Sequence, residues 1–226
     1  MSNPSFDRAI PDVLISYGKI CHRDASVTPA IAQNAPPEED RLRADIYGFL
    51  GRHLFAPPSQ EDLALIAGLA GDDTPLGQAF GDLSVRAREC SAKDVTREFE
   101  GLFIGLGRGE LIPFESYYLT GFLNEKPLAR LREDMARLSI ARRASVKEPE
   151  DHIGSLMEMM SGLISGQYGH PADHATQREF FTSHIGSWAE HFFRDLQGAK
   201  GAHFYKPLGR IGALFTDIES EAFDLI

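Results

Sequence analysis

A glycine-rich loop is the first stretch of this sequence whose residue types could do chemistry. Gly105, Gly107 and Gly109 stand at every second position of FIGLGRGELIPFESYYL, residues 103–119. Such loops hold nucleotide phosphates when a strand precedes them and a lysine followed by Ser or Thr completes the motif. Here no lysine directly follows the glycines, and the preceding residues have helical spacing. We predict that the three glycines end a helix and turn the chain sharply.

A carboxylate beside an imidazole, Asp151 and His152 in KEPEDHIGSLMEMM, is the second candidate. The spacing predicts a helix that begins at Glu148 and Pro149, with its acidic residues favourable at the positive end of the helix dipole. It also places Asp151 and His152 near the rim of the buried stripe, and Met159 as the more exposed methionine. Two interpretations stay open. The pair caps the helix, or it binds a cationic peptide with an affinity that depends on pH through the imidazole.

The chain's eight histidines could serve as metal ligands if several faced one another. His184 and His191 are seven residues apart on one face of a predicted helix, but a metal or haem site would need further ligands from other helices. We expect these histidines at the solvent-exposed rim and predict no metal site. No nucleophile has an identified base, so we predict no catalytic residue, no cofactor and no enzymatic activity. A helical metal-binding enzyme and a nucleotide-responsive regulator are the alternatives.

Composition and charge narrow the classes of partner. The chain has 33 acidic and 23 basic residues, and its net charge of −10 disfavours nonspecific nucleic-acid binding and favours a basic partner such as an arginine-containing peptide. It has no apolar run of the roughly 18 residues that a membrane span needs, and no signal-peptide pattern at its start. We therefore expect a cytoplasmic protein without membrane insertion. Arg142 and Arg143 mimic a twin-arginine signal, but no apolar stretch follows, so we interpret them as a solvated charge pair or a short linker.

Helices must position these residues, because apolar residues recur at the three- and four-residue spacing of a helix face through residues 38–226. No stretch alternates strictly between apolar and polar residues. The sequence therefore predicts an all-α fold, a single globular bundle of about eight to ten helices. Helix starts are indicated at Ser59, Thr74, Ser91 and Thr176, the last opening one long helix to about residue 197. Residues 1–37, with several prolines and small residues, are predicted to be mostly flexible.

Four segments carry a resemblance to a known family: REFEGLFIGLGRG, PFESYYL, EPEDHIG and HFYKPLGRIGALF. Together they resemble the TorD/DmsD family of cytoplasmic chaperones for molybdoenzymes over roughly residues 40–223. The resemblance implies an all-helical, non-enzymatic protein. Such a protein binds the twin-arginine leader, the apo-form body, or both, of a molybdoenzyme catalytic subunit and holds it for cofactor insertion before export. Proteins of molybdenum-cofactor biosynthesis are further implied partners, and the implied assembly is a monomer or a domain-swapped dimer.

The resemblance also implies which residues bind the peptide. The Asp-His pair of the family's EPxDH motif and its Pro-aromatic-x-Ser segment map onto this chain, with two tyrosines beside the serine. The implied peptide-binding set is Pro113, Phe114, Glu115, Ser116, Tyr117, Tyr118, Asp151 and His152. The sequence GLGRGEL departs from the GPG-like turn of many relatives. The stretch GRGELIPFESYYLTGFLNEKPL resembles a subgroup associated with formate dehydrogenases, which indicates that class of client.

Overall fold

A computed structural model describes residues 37–105, 108–142 and 147–225. Within these ranges the chain forms ten α-helices and one π-helical turn, with no strand, so the predicted all-α bundle of about eight to ten helices is confirmed. None of these helices is both long and apolar enough to cross a bilayer. The segment predicted to be flexible, residues 1–37, lies outside the described residues except for Pro37. The helices are α1 Glu38–Phe55, α2 Gln60–Ala67, α3 Pro75–Glu89, α4 Ala92–Phe99, α5 Glu115–Thr120, α6 Lys126–Arg137, α7 Ile153–Ser165, α8 His174–His184, α9 Ala189–Gly198 and α10 Tyr205–Asp224.

Polar side chains fix the starts of α2, α3 and α4 where the sequence predicts them. Ser59 and Ser91 each form a capping box, in which the serine oxygen and a carboxylate three residues later satisfy one another's backbone N–H groups. Thr74 accepts a hydrogen bond from Gly77 N, and proline fills the first turn of α3. These three predictions are confirmed because each cap is a local interaction.

The predicted long helix from Thr176 to about residue 197 is wrong in two respects. Its start lies earlier, because Asp173 rather than Thr176 is the N-cap and accepts a hydrogen bond from Thr176 N at 2.8 Å. The helix also ends at His184, and α9 begins five residues later, at Ala189. A side chain on Gly186 would meet the Phe181 ring at 2.8 Å, so the chain turns closely over that ring before α9 begins.

The core is built around α1, which packs most extensively against α7, while α10 packs against α9 and α3. Gly51 and Gly154 let the backbones of α1 and α7 touch, because a Cβ at either position would lie 2.9 Å from the other glycine's carbonyl oxygen. A buried ion pair joins α1 to α10. Arg43 donates two hydrogen bonds of 2.8 Å to Glu219, and the Tyr47 hydroxyl donates a third of 2.9 Å. This rigid frame holds α7 in place beside the candidate site.

Candidate peptide-binding site

The two segments that the family resemblance singles out lie side by side. Glu115 N donates to Asp151 O at 2.9 Å, and Ile153 N donates to Pro113 O at 2.8 Å, which forms an isolated antiparallel bridge between Phe114 and His152. Through this bridge the start of α5 is joined to the start of α7. The six residues of the Pro113–Tyr118 segment and the Asp-His pair are therefore neighbours in space, although some 35 residues separate them in sequence.

Asp151 caps α5 from across the chain. Its Oδ2 atom accepts hydrogen bonds from Ser116 N at 2.9 Å and from the Ser116 hydroxyl. Phe114, the residue that precedes α5, supplies no side-chain cap of its own. Asp151 and Ser116 are fully buried, and Asp151 Oδ1 has no hydrogen-bond partner within the described part of the chain. The Asp151 carboxylate thus accepts the backbone N–H hydrogen bond that an N-cap side chain of α5 would otherwise accept.

His152 is the N-cap of α7. Its Nδ1 atom accepts a hydrogen bond from Gly154 N at 3.1 Å, so the ring is neutral with its proton assigned to Nε2. The ring lies between those of Phe55 and Phe114, at centroid distances of 5.4 and 5.1 Å. Burial lowers the pKa of His152 to about 4.

Three expectations for this motif are therefore wrong. The helix begins at Ile153 rather than at Glu148 and Pro149, because His152 and not an acidic residue caps it. Asp151 and His152 lie inside the protein rather than at its rim, since the bridge to the α5 segment covers them. His152 does not titrate near neutral pH, because its ring is enclosed by two phenylalanines.

A second buried polar group lies beneath α5. Glu115 Oε2 is 3.5 Å from His184 Nδ1, and His184 Nε2 is 2.9 Å from Asp134 Oδ2. Burial raises the pKa of the Glu115 carboxyl, against the opposing effect of His184. Burial alone would lower the pKa of His184, but Glu115 and Asp134 outweigh it and raise that pKa. The 3.5 Å separation is too long for a good hydrogen bond, and the contact is an ion pair only when His184 is protonated and Glu115 is ionised.

The predictions for the histidines are partly corrected. His184 is fully buried rather than at the rim, and the break after it removes the helix face that it was expected to share with His191. Among the residues described by the structure, no group of three or more His, Cys, Asp or Glu side chains could hold a metal ion.

The outer face of α5 carries aromatic and apolar side chains. Phe114, Tyr117 and Tyr118 are half-buried. The Tyr118 hydroxyl donates to Asp195 Oδ2 at 2.9 Å, and its ring packs on Trp188 at 5.2 Å. Arg108 donates to the Tyr117 hydroxyl, with its guanidinium 5.4 Å from the ring centroid. Both tyrosines keep part of their surface exposed to solvent.

An exposed apolar patch, which the helical spacing does not predict, follows α5. The side chains of Leu119, Phe122 and Leu123 are exposed by 43%, 70% and 44%. The turn that presents them is fixed, because Thr120 Oγ1 donates to Ser116 O at 2.7 Å and accepts from Phe122 N at 3.2 Å. The signal in the sequence is the segment LTGFL, whose apolar residues belong to no helical stripe. We call these three residues the apolar patch.

The glycine loop has the role expected of its described members. Gly105 ends the π-helical turn Glu100–Ile104 with φ of 59°, and a side chain there would meet Arg108 O at 2.0 Å. A side chain on Gly109 would meet Leu102 O at 2.6 Å. Both glycines are required by a tight turn that folds back over the preceding helix. Gly107 lies outside the described residues.

A groove of about 700 Å³ runs between α1, α7 and the segment that follows α6. Apolar side chains line it together with five charged ones. The apolar side chains include Phe55, Met135, Ile140 and Met159, and the charged ones are Arg52, Arg142, Glu148, Glu150 and Glu158. Met159, which the sequence predicts to be exposed, is only 7% exposed at this surface because α7 packs it toward α1. We call this feature the acidic groove.

Glu150 is the most buried acidic residue of the groove. Its Oε2 atom accepts hydrogen bonds from Arg132 Nε and Nη2 at 3.1 and 2.8 Å, and its Oε1 atom lies 3.5 Å from Arg142 Nη1. Burial alone would raise the pKa of this carboxyl, but the two arginines outweigh it and lower that pKa. The expected helix-capping role of Glu150 is wrong, because α7 begins three residues later. Arg142, expected to be a solvated charge, is bound to Glu150, and Arg143 lies outside the described residues.

Comparison with known proteins identifies the family. A family model described as nitrate reductase delta subunit matches residues 69–194, more than half of the chain. The chain belongs to this family. The TorD/DmsD chaperones for molybdoenzyme maturation are its members, so the resemblance predicted from the four sequence segments is confirmed.

The relatives of this TorD-family chain are named chaperones rather than enzymes. It is 30% identical over 139 residues to the chaperone protein TorD of Aliivibrio fischeri, and the match covers 54% of this chain. The match spans 64% of the length of that TorD protein, which is just under two thirds. It is 23% identical to TorD of Vibrio atlanticus, over 79% of this chain and 93% of that protein. It is 26% identical to the Tat proofreading chaperone DmsD of Salmonella paratyphi A, over 71% and 79% of the two chains.

The fold also has a solved counterpart. The crystal structure of an Archaeoglobus fulgidus protein, described as a redox enzyme maturation protein, has a TM-score of 0.51 with this chain. The alignment covers 77% of this chain and 93% of that one, at 18% sequence identity. At this identity the likeness shows only that the two chains share a helical fold.

Proposed function

We propose that this protein is a cytoplasmic chaperone that binds the twin-arginine leader of a molybdoenzyme catalytic subunit and holds the apo-enzyme until its cofactor is inserted, before export. The observation that carries the proposal is the acidic groove. Its lining combines three glutamates with apolar side chains that include two methionines; the glutamates are Glu148, Glu150 and Glu158. A twin-arginine leader combines a pair of guanidinium groups with an apolar segment. The groove offers a partner for each part.

The physical chemistry of the groove fits such a ligand. Carboxylates bind guanidinium groups through charge-assisted hydrogen bonds that orient the peptide. Methionine side chains are flexible and polarizable, so Met135 and Met159 suit an apolar segment whose sequence varies among clients. The net charge of −10 accelerates the encounter with a basic leader, mainly through the association rate.

The peptide-binding set divides by exposure into two proposed roles. Phe114, Tyr117 and Tyr118 have surface open to a ligand and are proposed as direct contacts. The buried members are proposed to hold that surface in place, and they are Pro113, Glu115, Ser116, Asp151 and His152. His152 touches both regions, since its ring lies between Phe55 of the acidic groove and Phe114 of α5. Binding in the groove and the position of α5 would then be coupled through this ring.

The apolar patch is proposed to contact the body of the same client. Leu119, Phe122 and Leu123 are large, adjacent and exposed, a combination that marks interaction surfaces in soluble proteins. For the client we propose a formate dehydrogenase, because the stretch of residues 107–128 resembles the subgroup associated with those enzymes. Proteins of molybdenum-cofactor biosynthesis are proposed as further partners at the stage of cofactor insertion.

Titration calorimetry with synthetic leaders tests the proposal. We expect the purified protein to bind the leader of the molybdoenzyme encoded beside it, and formate dehydrogenase leaders before those of other molybdoenzymes. A leader with both arginines replaced by glutamine is the matched control and should bind at least tenfold more weakly, since about 1.4 kcal/mol is lost with two charge-assisted contacts. Absence of binding to every leader, at low and physiological salt, would refute the proposed function.

A further inference from the structure

We propose that His184 is a positioning residue for the candidate peptide-binding face, and that a single proton controls it. The protonated ring binds Glu115 of α5 and Asp134 of α6 at once; loss of the proton at alkaline pH releases α5 and weakens leader binding. The inference rests on the proposed function and adds its regulation by pH. We call Glu115, Asp134 and His184 the buried histidine cluster.

His184 connects three helices. It is the last residue of α8, and its Nε2 atom lies 2.9 Å from Asp134 Oδ2 on α6. Its Nδ1 atom lies 3.5 Å from Oε2 of Glu115, the first residue of α5. The Phe180 ring packs against the imidazole at 5.1 Å, and Trp188 Nε1 donates to the His184 carbonyl oxygen at 2.7 Å. The ring is fully buried, and each of its nitrogens faces a carboxylate.

The protonated ring suits both carboxylates, and the neutral ring does not. A neutral imidazole carries one N–H, so its other nitrogen presents a lone pair. With the proton on Nε2, the Nδ1 lone pair faces Glu115; with the proton on Nδ1, the Nε2 lone pair faces Asp134 at 2.9 Å. Imidazolium has an N–H on both nitrogens and attracts both carboxylates. The contact between His184 and Glu115 therefore requires a proton on one of the two groups.

Glu115 depends on that proton more than Asp134 does. Neither carboxylate oxygen of Glu115 has a hydrogen-bond partner among the residues that the structure describes, and its side chain is fully buried. Asp134 has a second cation, because Arg137 Nη2 lies 2.8 Å from its Oδ1 atom. An ionised carboxylate that is buried without a partner is costly. Once His184 is neutral, α5 opens because opening returns Glu115 to water.

Other charges around the cluster leave this conclusion in place. Asp151, from the segment before α7, repels an ionised Glu115 and so favours the opening. Arg130 of α6 attracts Glu115, but more weakly than His184 does. On α8, Glu179 reaches the cluster through Arg137, at 3.1 Å from its Nη2 atom. The nearby charges thus come from α5, α6, α8 and the segment before α7, and the imidazolium is the main cation that holds Glu115.

The direction of the pH dependence follows from the surroundings of the ring. Burial favours the neutral ring, but Glu115 and Asp134 outweigh it and raise the pKa of His184 above its ordinary 6.5. The contribution of the contact to stability is therefore complete below pH 6.5 and is lost as the pH rises through the folded pKa. His152 acts in the opposite direction and at lower pH, since burial lowers its pKa to about 4. The range from pH 6.5 to 9 thus isolates His184 from His152.

Hydrogen exchange and calorimetry between pH 6.5 and 9 test the inference. We expect the protection factors of residues 116–120 to fall with rising pH, by up to about tenfold per pH unit, the limit for one proton. A short helix opens at low cost, and the apparent Kd rises as the fraction of chains with α5 in place falls. We therefore expect the leader to bind at least about threefold more weakly at pH 9 than at pH 7.

Glu115→Gln is the decisive variant. Its amide can donate to the Nδ1 atom of a neutral His184, while the Nε2–H group still binds Asp134. The protection of α5 and the affinity for the leader should then change less than about twofold over the same pH range. His184→Gln, which is neutral throughout, should show at pH 6.5 the low protection that the wild type shows at pH 9. The matched control is His191→Gln at an exposed site on α9, which should keep the wild-type pH profile.

The outcomes separate this inference from the proposed function. If the leader binds the wild type with equal affinity from pH 6.5 to 9, the inference is overturned and the proposed function stands. It is also overturned if Glu115→Gln keeps the wild-type pH dependence, or if His191→Gln abolishes it, because another group would then be titrating. If the protection of α5 follows the predicted profile but no leader binds at any pH, the proton-dependent contact stands and the proposed function fails.

Discussion

Replacement of Asp151 by alanine should destabilise α5 and, through it, the whole chain. The substitution leaves the backbone N–H and hydroxyl of the fully buried Ser116 without their acceptor. An unpaired buried donor costs about 1–3 kcal/mol, so two would cost about 2–6 kcal/mol. The loss is reduced because the buried Asp151 charge also repels Glu115 and raises that residue's pKa. We therefore expect a net loss of about 2–3 kcal/mol in the free energy of unfolding.

Asp151→Asn is the matched control. The amide oxygen can still accept a hydrogen bond from Ser116 N, and the loss of charge relieves the repulsion with Glu115. We expect this variant to lose about 1 kcal/mol or less. Urea denaturation gives both free energies, and hydrogen exchange locates the effect. In Asp151→Ala, protection should be lost first in residues 115–125.

Leader binding by the same two variants decides between capping and direct contact. If Asp151 only positions α5, Asp151→Asn should bind the leader within about twofold of wild type, and Asp151→Ala should bind more weakly. A fully folded Asp151→Asn that no longer binds would refute the capping role, since only the charge would have changed. An Asp151→Ala variant as stable as wild type would refute it independently.

Three further predictions concern other parts of the chain. Because the pKa of His152 is about 4 when folded and about 6.5 when unfolded, its contribution to stability is complete above pH 6.5 and falls by about 2.5 kcal/mol by pH 4.5. His152→Asn, which keeps a cap, should show a smaller loss over this range in urea titrations. Glu219→Ala should cost about 2–4 kcal/mol in urea denaturation, because it removes two hydrogen bonds of the buried Arg43 and the acceptor of the Tyr47 hydroxyl. Asp40 and Gln177 still hold the guanidinium and limit the loss, and Arg43→Met with Glu219→Leu should recover most of it. Phe122→Ser should leave the melting temperature and the leader affinity unchanged but weaken binding of the apo-client body. If the variant binds that body as the wild type does, the apolar patch is not the surface that contacts the client.

Much of the fold follows from local patterns in the sequence. Ser59 and Ser91 cap their helices with carboxylates three residues away, and such interactions need no tertiary contact. The apolar spacing likewise predicts which face of α1 and of α10 is buried. These elements are predictable because residues close in sequence determine them.

The candidate site is less predictable because its contacts are nonlocal. Glu148 and Pro149 have the composition of a helix start, but α7 begins only at Ile153. The residues just before it pair instead with the start of α5, through the bridge between His152 and Phe114. The burial of Asp151 follows from the same pairing. The position of Arg142 against Glu150 depends on how the segment after α6 lies against the segment before α7, which no local pattern encodes.

The apolar periodicity also misleads at one helix. It continues from α8 into α9, although the chain turns between them where Gly186 lies on the Phe181 ring. Periodicity reports which side chains face the core and does not report a change in helix direction. Where the helix ends, His184 is buried beside Glu115 and Asp134. The spacing of residues in the sequence does not predict that these three side chains meet.

Photo-crosslinking of a bound leader tests the central claim most directly. A leader that carries a benzophenone residue next to its arginines is irradiated in the complex, and the adducts are mapped by mass spectrometry. We expect adducts on Met135 or Met159 in the acidic groove, and we expect them to be lost when the leader's arginines are replaced by glutamine. Adducts that fall instead in the depression of about 550 Å³ around Arg86 and Cys90, or are spread without preference over the surface, would contradict it.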